Sequence, residues 1–282
     1  MAVTATPLPR ATGALNTGLP LPLERFFFWE KNQPAKICFT QPMGHGKILD
    51  ITWSEAGRQV RSMAAYLKTL GIKPGDRIAI LSKNCAHWIM SDLAIWMAGG
   101  VSVPLYPTLT ADSVHQILQH SESRILFVGK LDEWDHMKAG VDPAIRCISY
   151  PLSPPNDFPT WDTIVSTHEP LKENLARTHA ELATIIYTSG TTGTPKGVMH
   201  TFNGIAAGAS RASDIYEVSA DDRMLSYLPL SHVAERMCIE MIQLYQGTHV
   251  HFAESLDTFA EDLQRTRPTI FFSVPRIWAK FR

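Results

Sequence analysis

Apolar positions along the chain alternate between two periods. Ala56, Val60, Met63, Ala64, Leu67 and Leu70 recur every three or four residues. That spacing predicts an amphipathic helix, opened by Ser54 after a short strand at Ile51-Thr52-Trp53 and ended by Gly71. The turn Lys73-Pro74-Gly75-Asp76 leads into a β-branched, apolar run at Arg77 to Leu81, which predicts a strand. The pair of patterns then repeats. Asn84 is placed to cap a helix carrying Trp88, Ile89, Leu93 and Trp96, stopped by Gly99-Gly100. A strand follows at Val101 to Leu105, then a helix opened by Thr110, then strands at Arg124 to Val128 and Ile145 to Tyr150. Further on, strands are expected at Leu182 to Tyr187, Arg223 to Leu228, Thr248 to Phe252 and Thr269 to Val274. Helices are expected after Thr201 and over Val233 to Tyr245 and Ser255 to Arg265. This order predicts an α/β fold of repeated βα units, with mostly parallel sheets covered by helices.

The margins carry a different pattern. Residues 1–21, rich in Pro, Thr and small side chains, read as a flexible arm, and residues 22–282 as one body. Phe26-Phe27-Phe28-Trp29 is an apolar patch expected to pack on that body; contact with a membrane surface is the alternative. The prolines between Tyr150 and Pro159 mark an exposed connector. At the other end Pro275 suits the first turn of a helix. The sequence then stops at Phe281-Arg282 without a cap or a polar tail, so the parent protein is expected to continue.

Composition narrows the class. Of 282 residues, 45% are hydrophobic and 19% charged, and the net charge is −1. A sizeable core is affordable, and bulk electrostatics give no reason to expect a nucleic-acid partner. Cys38, Cys85, Cys147 and Cys238 stand alone, with no spacing for a zinc site or a redox pair. The amino terminus lacks the apolar core of a signal peptide. The most apolar stretch, Leu93 to Leu105, is too short to span a bilayer. The expectation is a cytoplasmic protein, at most peripheral to a membrane.

The candidate chemistry lies where the run ending at Tyr187 meets Thr188-Ser189-Gly190-Thr191-Thr192-Gly193-Thr194-Pro195-Lys196-Gly197. Gly190, Gly193 and Gly197 let backbone approach a ligand, and successive N–H groups in such a turn converge on an anion. The hydroxyls add neutral donors and Lys196 a mobile charge. A Walker loop needs lysine directly after glycine, and Pro195 breaks that arrangement. Ser189 lacks the glycine frame of a hydrolase elbow. A nucleotide phosphate loop and a solvated Ser/Thr/Gly connector both stay open on composition. A strand feeding straight into the loop favours the first.

Tyr187-Thr-Ser-Gly-Thr-Thr-Gly-Thr-Pro-Lys-Gly-Val198 resembles the signature loop of the adenylate-forming superfamily. Trp96 to Leu105 resembles a further segment of that family, Leu228-Pro229-Leu230-Ser231-His232-Val233-Ala234-Glu235-Arg236 its segment lining the acyl pocket, and Arg267-Pro268-Thr269 with Val274-Pro275-Arg276-Ile277-Trp278 its long-chain fatty acyl branch. The resemblance implies a two-step reaction. A fatty acid and ATP give an acyl-adenylate and pyrophosphate, and coenzyme A then takes the acyl group. It implies that Thr188, Ser189, Gly190, Thr191, Thr192, Gly193, Thr194 and Lys196 hold the triphosphate, with Thr191 nearest a Mg²⁺ ion. Lys196 and His232 are the implied catalytic residues, His232 facing the carboxylate or the adenylate. Tyr227 and Arg236 could support the pocket. His249 and His251 read as structural, and Asp221-Asp222 as a solvated turn. The family's later adenine- and ribose-binding segments and its catalytic C-terminal lysine are not among these residues. Residues 1–282 alone are therefore expected to be inactive or nearly so. An aryl or medium-chain acid, a carrier-protein thiol, a catalytically dead nucleotide-binding module and a homodimer all stay open.

Overall fold

The structure, a computed structural model, describes residues 18–188, 195–215, 217–274 and 277. Helix α1 (Pro22–Asn32) packs Phe26 and Trp29 inward against Trp53, while Phe28 stays 44% exposed. The antiparallel hairpin β1 (Ile37–Gly44) and β2 (Lys47–Thr52) follows. It turns through Gly44, His45 and Gly46, all at positive φ. Helix α2 (Trp53–Thr69) starts two residues earlier than the pattern predicts. Thr52, not Ser54, caps it by accepting from the Glu55 N–H at 3.2 Å, and Trp53 in the first turn is buried.

Next come β3 (Arg77–Leu81), α3 (Ala86–Met97), β4 (Val101–Leu105), α4 (Ala111–Ser121), β5 (Ile125–Val128), α5 (Trp134–Met137), β6 (Arg146–Ser149) and α6 (Trp161–Thr167). The second half adds β7 (Leu182–Thr188), β8 (Lys196–Thr201), α7 (Phe202–Ile215) and β9 (Arg223–Ser226). It continues with α8 (Val233–Glu235), a π-helical turn (Arg236–Met241), α9 (Ile242–Gln246), β10 (His249–Phe252) and α10 (Phe259–Thr266). One sheet has the order β6-β5-β3-β4-β7-β8, parallel except for the antiparallel edge strand β8. The other has the order β2-β1-β10-β9, parallel except for β2.

Helix α3 explains how the two sheets share a core. Every one of its residues is buried, as expected of a helix apolar all round, and it touches β1 of one sheet and β3 and β4 of the other. It lies between the sheets with α2, while α4 and α5 cover the far face of the six-stranded sheet. The fold is thus the expected α/β arrangement of parallel sheets covered by helices.

Several elements depart from the pattern. Asn84 does not cap α3: Cys85 holds that position, and the Asn84 side chain is used elsewhere. Thr269 to Val274 forms no strand, only a single parallel bridge between Ile270 and Met224. Ser255 closes a turn with Thr258, so α10 begins only at Phe259. The helix predicted over Val233 to Tyr245 exists, but its middle is widened into a π turn. Among the described residues no helix is long and apolar enough to cross a membrane.

Candidate active site

The topology itself points to one end of the molecule. From adjacent parallel strands β3 and β4, the chain leaves to opposite faces of the sheet, into α3 and α4 respectively. Such a switch point opens a crevice at the carboxyl ends of the strands. Lys83, Asn84, Pro107 and Thr108 line a cavity of about 340 Å³ there. The carboxyl ends of β9 and β10 in the second sheet supply its other wall, through Tyr227, Leu228 and Leu256 among others. The lysines at its edge are engaged: Lys83 pairs with Asp132, and Lys130 donates to the carbonyls of Ala253 and Glu254. A larger cavity of about 480 Å³ lies at the amino ends of β5 and β6, away from these loops.

Strand β7 delivers the glycine- and threonine-rich segment to the same end. Its last residue, Thr188, is exposed and pairs with Lys196 at the start of β8. The Lys196 ammonium has no partner among the described residues. Ser189, Gly190, Thr191, Thr192, Gly193 and Thr194, and with them the metal role expected of Thr191, lie outside the described residues. The two flanking residues therefore stand where the expected loop must begin and end. Among the described residues no group of His, Cys, Asp or Glu side chains is placed to hold a metal ion.

A second cavity, of about 220 Å³, lies between β7, β8, α7 and the helix beginning at Val233. Ile186, Ile205, Met237 and Met241 make it mainly apolar. Gly204 and Gly208 turn towards it on α7, and a Cβ on Gly208 would come within 2.8 Å of the Met237 methyl carbon. Thr184, His200 and Arg236 supply its polar atoms. Burial and then the neighbouring Arg236 charge lower the His200 pKa, which favours the neutral ring.

The segment Ser226–Arg236 runs between the two cavities. His232 stands exposed at its turn into the helix, and its Nδ1 accepts from the Ala234 N–H at 3.1 Å. A neutral His232 ring therefore carries its proton on Nε2, a donor aimed away from the helix backbone. Glu235, 1% exposed, accepts from the Ser226 hydroxyl at 2.9 Å and the Tyr227 N–H at 3.0 Å. Burial pushes its pKa up to about 8, against the pull of those donors. Tyr227 donates to Ser273 Oγ at 2.9 Å and stacks on Phe271.

Arg236 is more than pocket support. Its guanidinium, almost wholly buried, pairs with Asp92 of α3, with Glu240 at 3.1 Å and with Thr184 Oγ1 at 2.7 Å. It also lies 5.4 Å from the Trp88 ring centroid and 5.9 Å from that of Trp96. One cation meets two carboxylates here. Burial and then the Asp92 charge push the Glu240 pKa well above the usual range, against the pull of Arg236. The pattern of the sequence gave no sign of this cluster or of the bonds made by Asn84 and Glu235, since their partners are distant along the chain. His249 and His251 stack at 4.1 Å on β10. His249 meets Thr40 Oγ1 at 2.8 Å, which fits a structural role.

Comparison with known proteins agrees with this geometry. Residues 26–282 match the family described as AMP-binding enzyme. The chain is 34% identical over 263 residues to the long-chain-fatty-acid–CoA ligase FadD15 of Mycobacterium tuberculosis, covering 90% of this chain and 43% of that one. It is 33% identical over 262 residues to the peroxisomal long chain acyl-CoA synthetase 7 of Arabidopsis thaliana, covering 86% and 37% respectively. The chain thus spans less than half the length of these relatives. Among solved structures, the anthranilate CoA ligase AuaEII in complex with anthranoyl-AMP superposes with a TM-score of 0.80 at 17% identity, over 90% of this chain and 50% of that one. The acetoacetyl-CoA synthetase from Streptomyces lividans gives 0.76 at 24% identity, over 90% and 42%. At such identities the likeness is one of fold.

Proposed function

The chain belongs to the AMP-binding enzyme family, and from that premise we propose that it supplies the phosphate loop and the acyl cavity of an ATP-dependent ligase that joins long-chain fatty acids to coenzyme A. The observation that carries this reading is the mainly apolar cavity under β7 and β8, the two strands that the Thr188–Lys196 segment connects. An acyl chain in that cavity would bring its carboxylate towards the loop that holds the triphosphate.

The chemistry asks for charge neutralisation. Attack of a carboxylate on the α-phosphorus joins two anions and expels pyrophosphate, so donors fixed around the developing charge lower the barrier. Lys196, exposed and unpaired among the described residues, is free to reach the outer phosphates. The Nε2–H of His232 is suited to a carboxylate oxygen, its other nitrogen being held by Ala234. Among the described residues no group of side chains makes a built site for a magnesium ion, so the ion would arrive with the triphosphate. Residues 22–282 then form the front part of an adenylating domain.

ATP–pyrophosphate exchange by the full-length protein, run over acids of graded chain length and over benzoate-type acids, tests it. Exchange should be fastest with long-chain acids, and Lys196→Ala and His232→Ala should each lower kcat about 100-fold, as loss of a fixed charge-stabilising donor does. Preference for aryl acids would replace the substrate assignment, and near-parental rates in both variants would remove the two residues from the mechanism.

A further inference from the structure

Asn84 and Glu235 form a junction that the acyl-transfer chemistry does not itself demand. Resting on the reading of His232 as the residue that faces the carboxylate, we propose that Asn84 and Glu235 are positioning residues which lock the Ser226–His232 loop between the two sheets and so set where His232 stands.

The hydrogen-bond accounting carries the argument. Glu235 Oε1 collects the Ser226 hydroxyl and the Tyr227 N–H from within the loop's own sheet. The Asn84 side chain reaches in from the loop after β3, in the other sheet. Its amide donates to the Leu228 carbonyl at 2.5 Å and to Ser226 Oγ at 2.8 Å, and its carbonyl accepts from the Leu230 N–H at 2.9 Å. A fourth contact, Asn84 Nδ2 to Glu235 Oε1 at 3.3 Å, joins the two side chains directly. Asn84, Ser226 and Glu235 are all buried. Between them they engage the loop at 226, 227, 228 and 230, and the His232 N–H closes the remainder on the Pro229 carbonyl at 2.8 Å. His232 and Glu235 share one helical turn, so what fixes Glu235 fixes the backbone that bears the imidazole. A buried carboxyl group costs desolvation, which the Ser226 and Tyr227 donors offset only in part. Its place is explained by the geometry it imposes.

A double-mutant cycle in the full-length protein tests this, with pyrophosphate exchange as the readout. Glu235→Ala and Asn84→Ala should each lower kcat at least about tenfold and leave the KM for ATP within about twofold, because a displaced catalytic group costs rate before affinity. In the His232→Ala background either change should add less than about threefold, since residues that act through one group are not additive. Glu235→Gln, which keeps a carbonyl oxygen for Ser226 and Tyr227, should restore most of the rate. Hydrogen exchange at the Leu230 amide should speed up in Asn84→Ala. Effects that multiply in the double variants overturn the proposal. Unchanged exchange at Leu230 overturns it too. A nearly fully active His232→Ala enzyme would instead sink the reading of His232 on which the proposal rests.

Discussion

His87 sits fully buried between Tyr150 and Trp161, with ring centroids 5.7 and 5.3 Å away and no partner for Nδ1 among the described residues. Burial drives its pKa down to about 3. The unfolded chain takes up this proton near the ordinary value of about 6.5. The stability that depends on a neutral His87 is therefore present above that pH and is lost as pH falls towards the folded value. His87→Leu should flatten the decline in melting temperature between pH 7 and pH 4 relative to the parent, and parallel profiles would clear His87 of that role. Glu235 acts with the opposite sign. Its folded pKa of about 8 lies above the ordinary carboxylate value of about 4.5, so the stability it lends at low pH is lost as pH rises through that window. Glu235→Gln should accordingly gain on the parent in melting temperature from pH 5 towards pH 8, and a constant difference across that range would contradict the assignment. Neither effect is visible in composition, because a histidine or glutamate does not announce its burial.

At the scale of elements, glycine separates two physical roles. Gly247 ends α9 at φ +74°, and a Cβ there would lie 2.7 Å from the Trp29 indole. Gly247→Ala should therefore lower stability by at least about 1–2 kcal/mol, the cost of the left-handed backbone before the clash is counted. Gly208 stands inside α7, where alanine is the better helix former by about 1 kcal/mol, and only the mobile end of Met237 opposes the new methyl. Gly208→Ala should keep the parent's stability within about 1 kcal/mol and narrow the cavity, so exchange activity should fall first with the longest acids. A destabilised Gly208→Ala or an unstrained Gly247→Ala, measured by urea melts, would reverse these roles. The same scale shows what the pattern of the chain could convey. Arg77–Leu81 and Val101–Leu105 match their expected bounds because buried parallel strands are apolar on both faces. Edge strand β8 escaped notice: Val198 and Met199 are 45% and 49% exposed, so no buried face marks it. Thr269 to Val274 misled in the other direction. Its apolar residues serve ring packing around Tyr227, not a ladder.

The molecule as a whole is two sheets sharing one interior, with their carboxyl ends opening onto common loops. The Thr188–Lys196 segment stands out as a candidate in the sequence because its glycines, hydroxyls and lysine are neighbours along the chain. The junctions between the sheets do not, because they join residues such as Asn84 and Leu230, 146 positions apart. Arg236 is the most demanding of these junctions, tying the π turn to Asp92 of α3 and Thr184 of β7. Arg236→Met would leave Asp92 and Glu240 buried together without their cation, and it should cost about 3–5 kcal/mol in denaturant melts. The triple change Arg236→Met, Asp92→Leu, Glu240→Leu removes every buried charge at once. Its stability should return to the parent's level or exceed it, since well-packed apolar groups can replace a buried ion cluster without loss. A triple variant as unstable as Arg236→Met would mean that the cluster itself holds the sheets together. A stable triple variant with a broadened acid preference would mean that the charges are kept to fix the π turn, and with it the wall of the apolar cavity formed by Met237 and Met241.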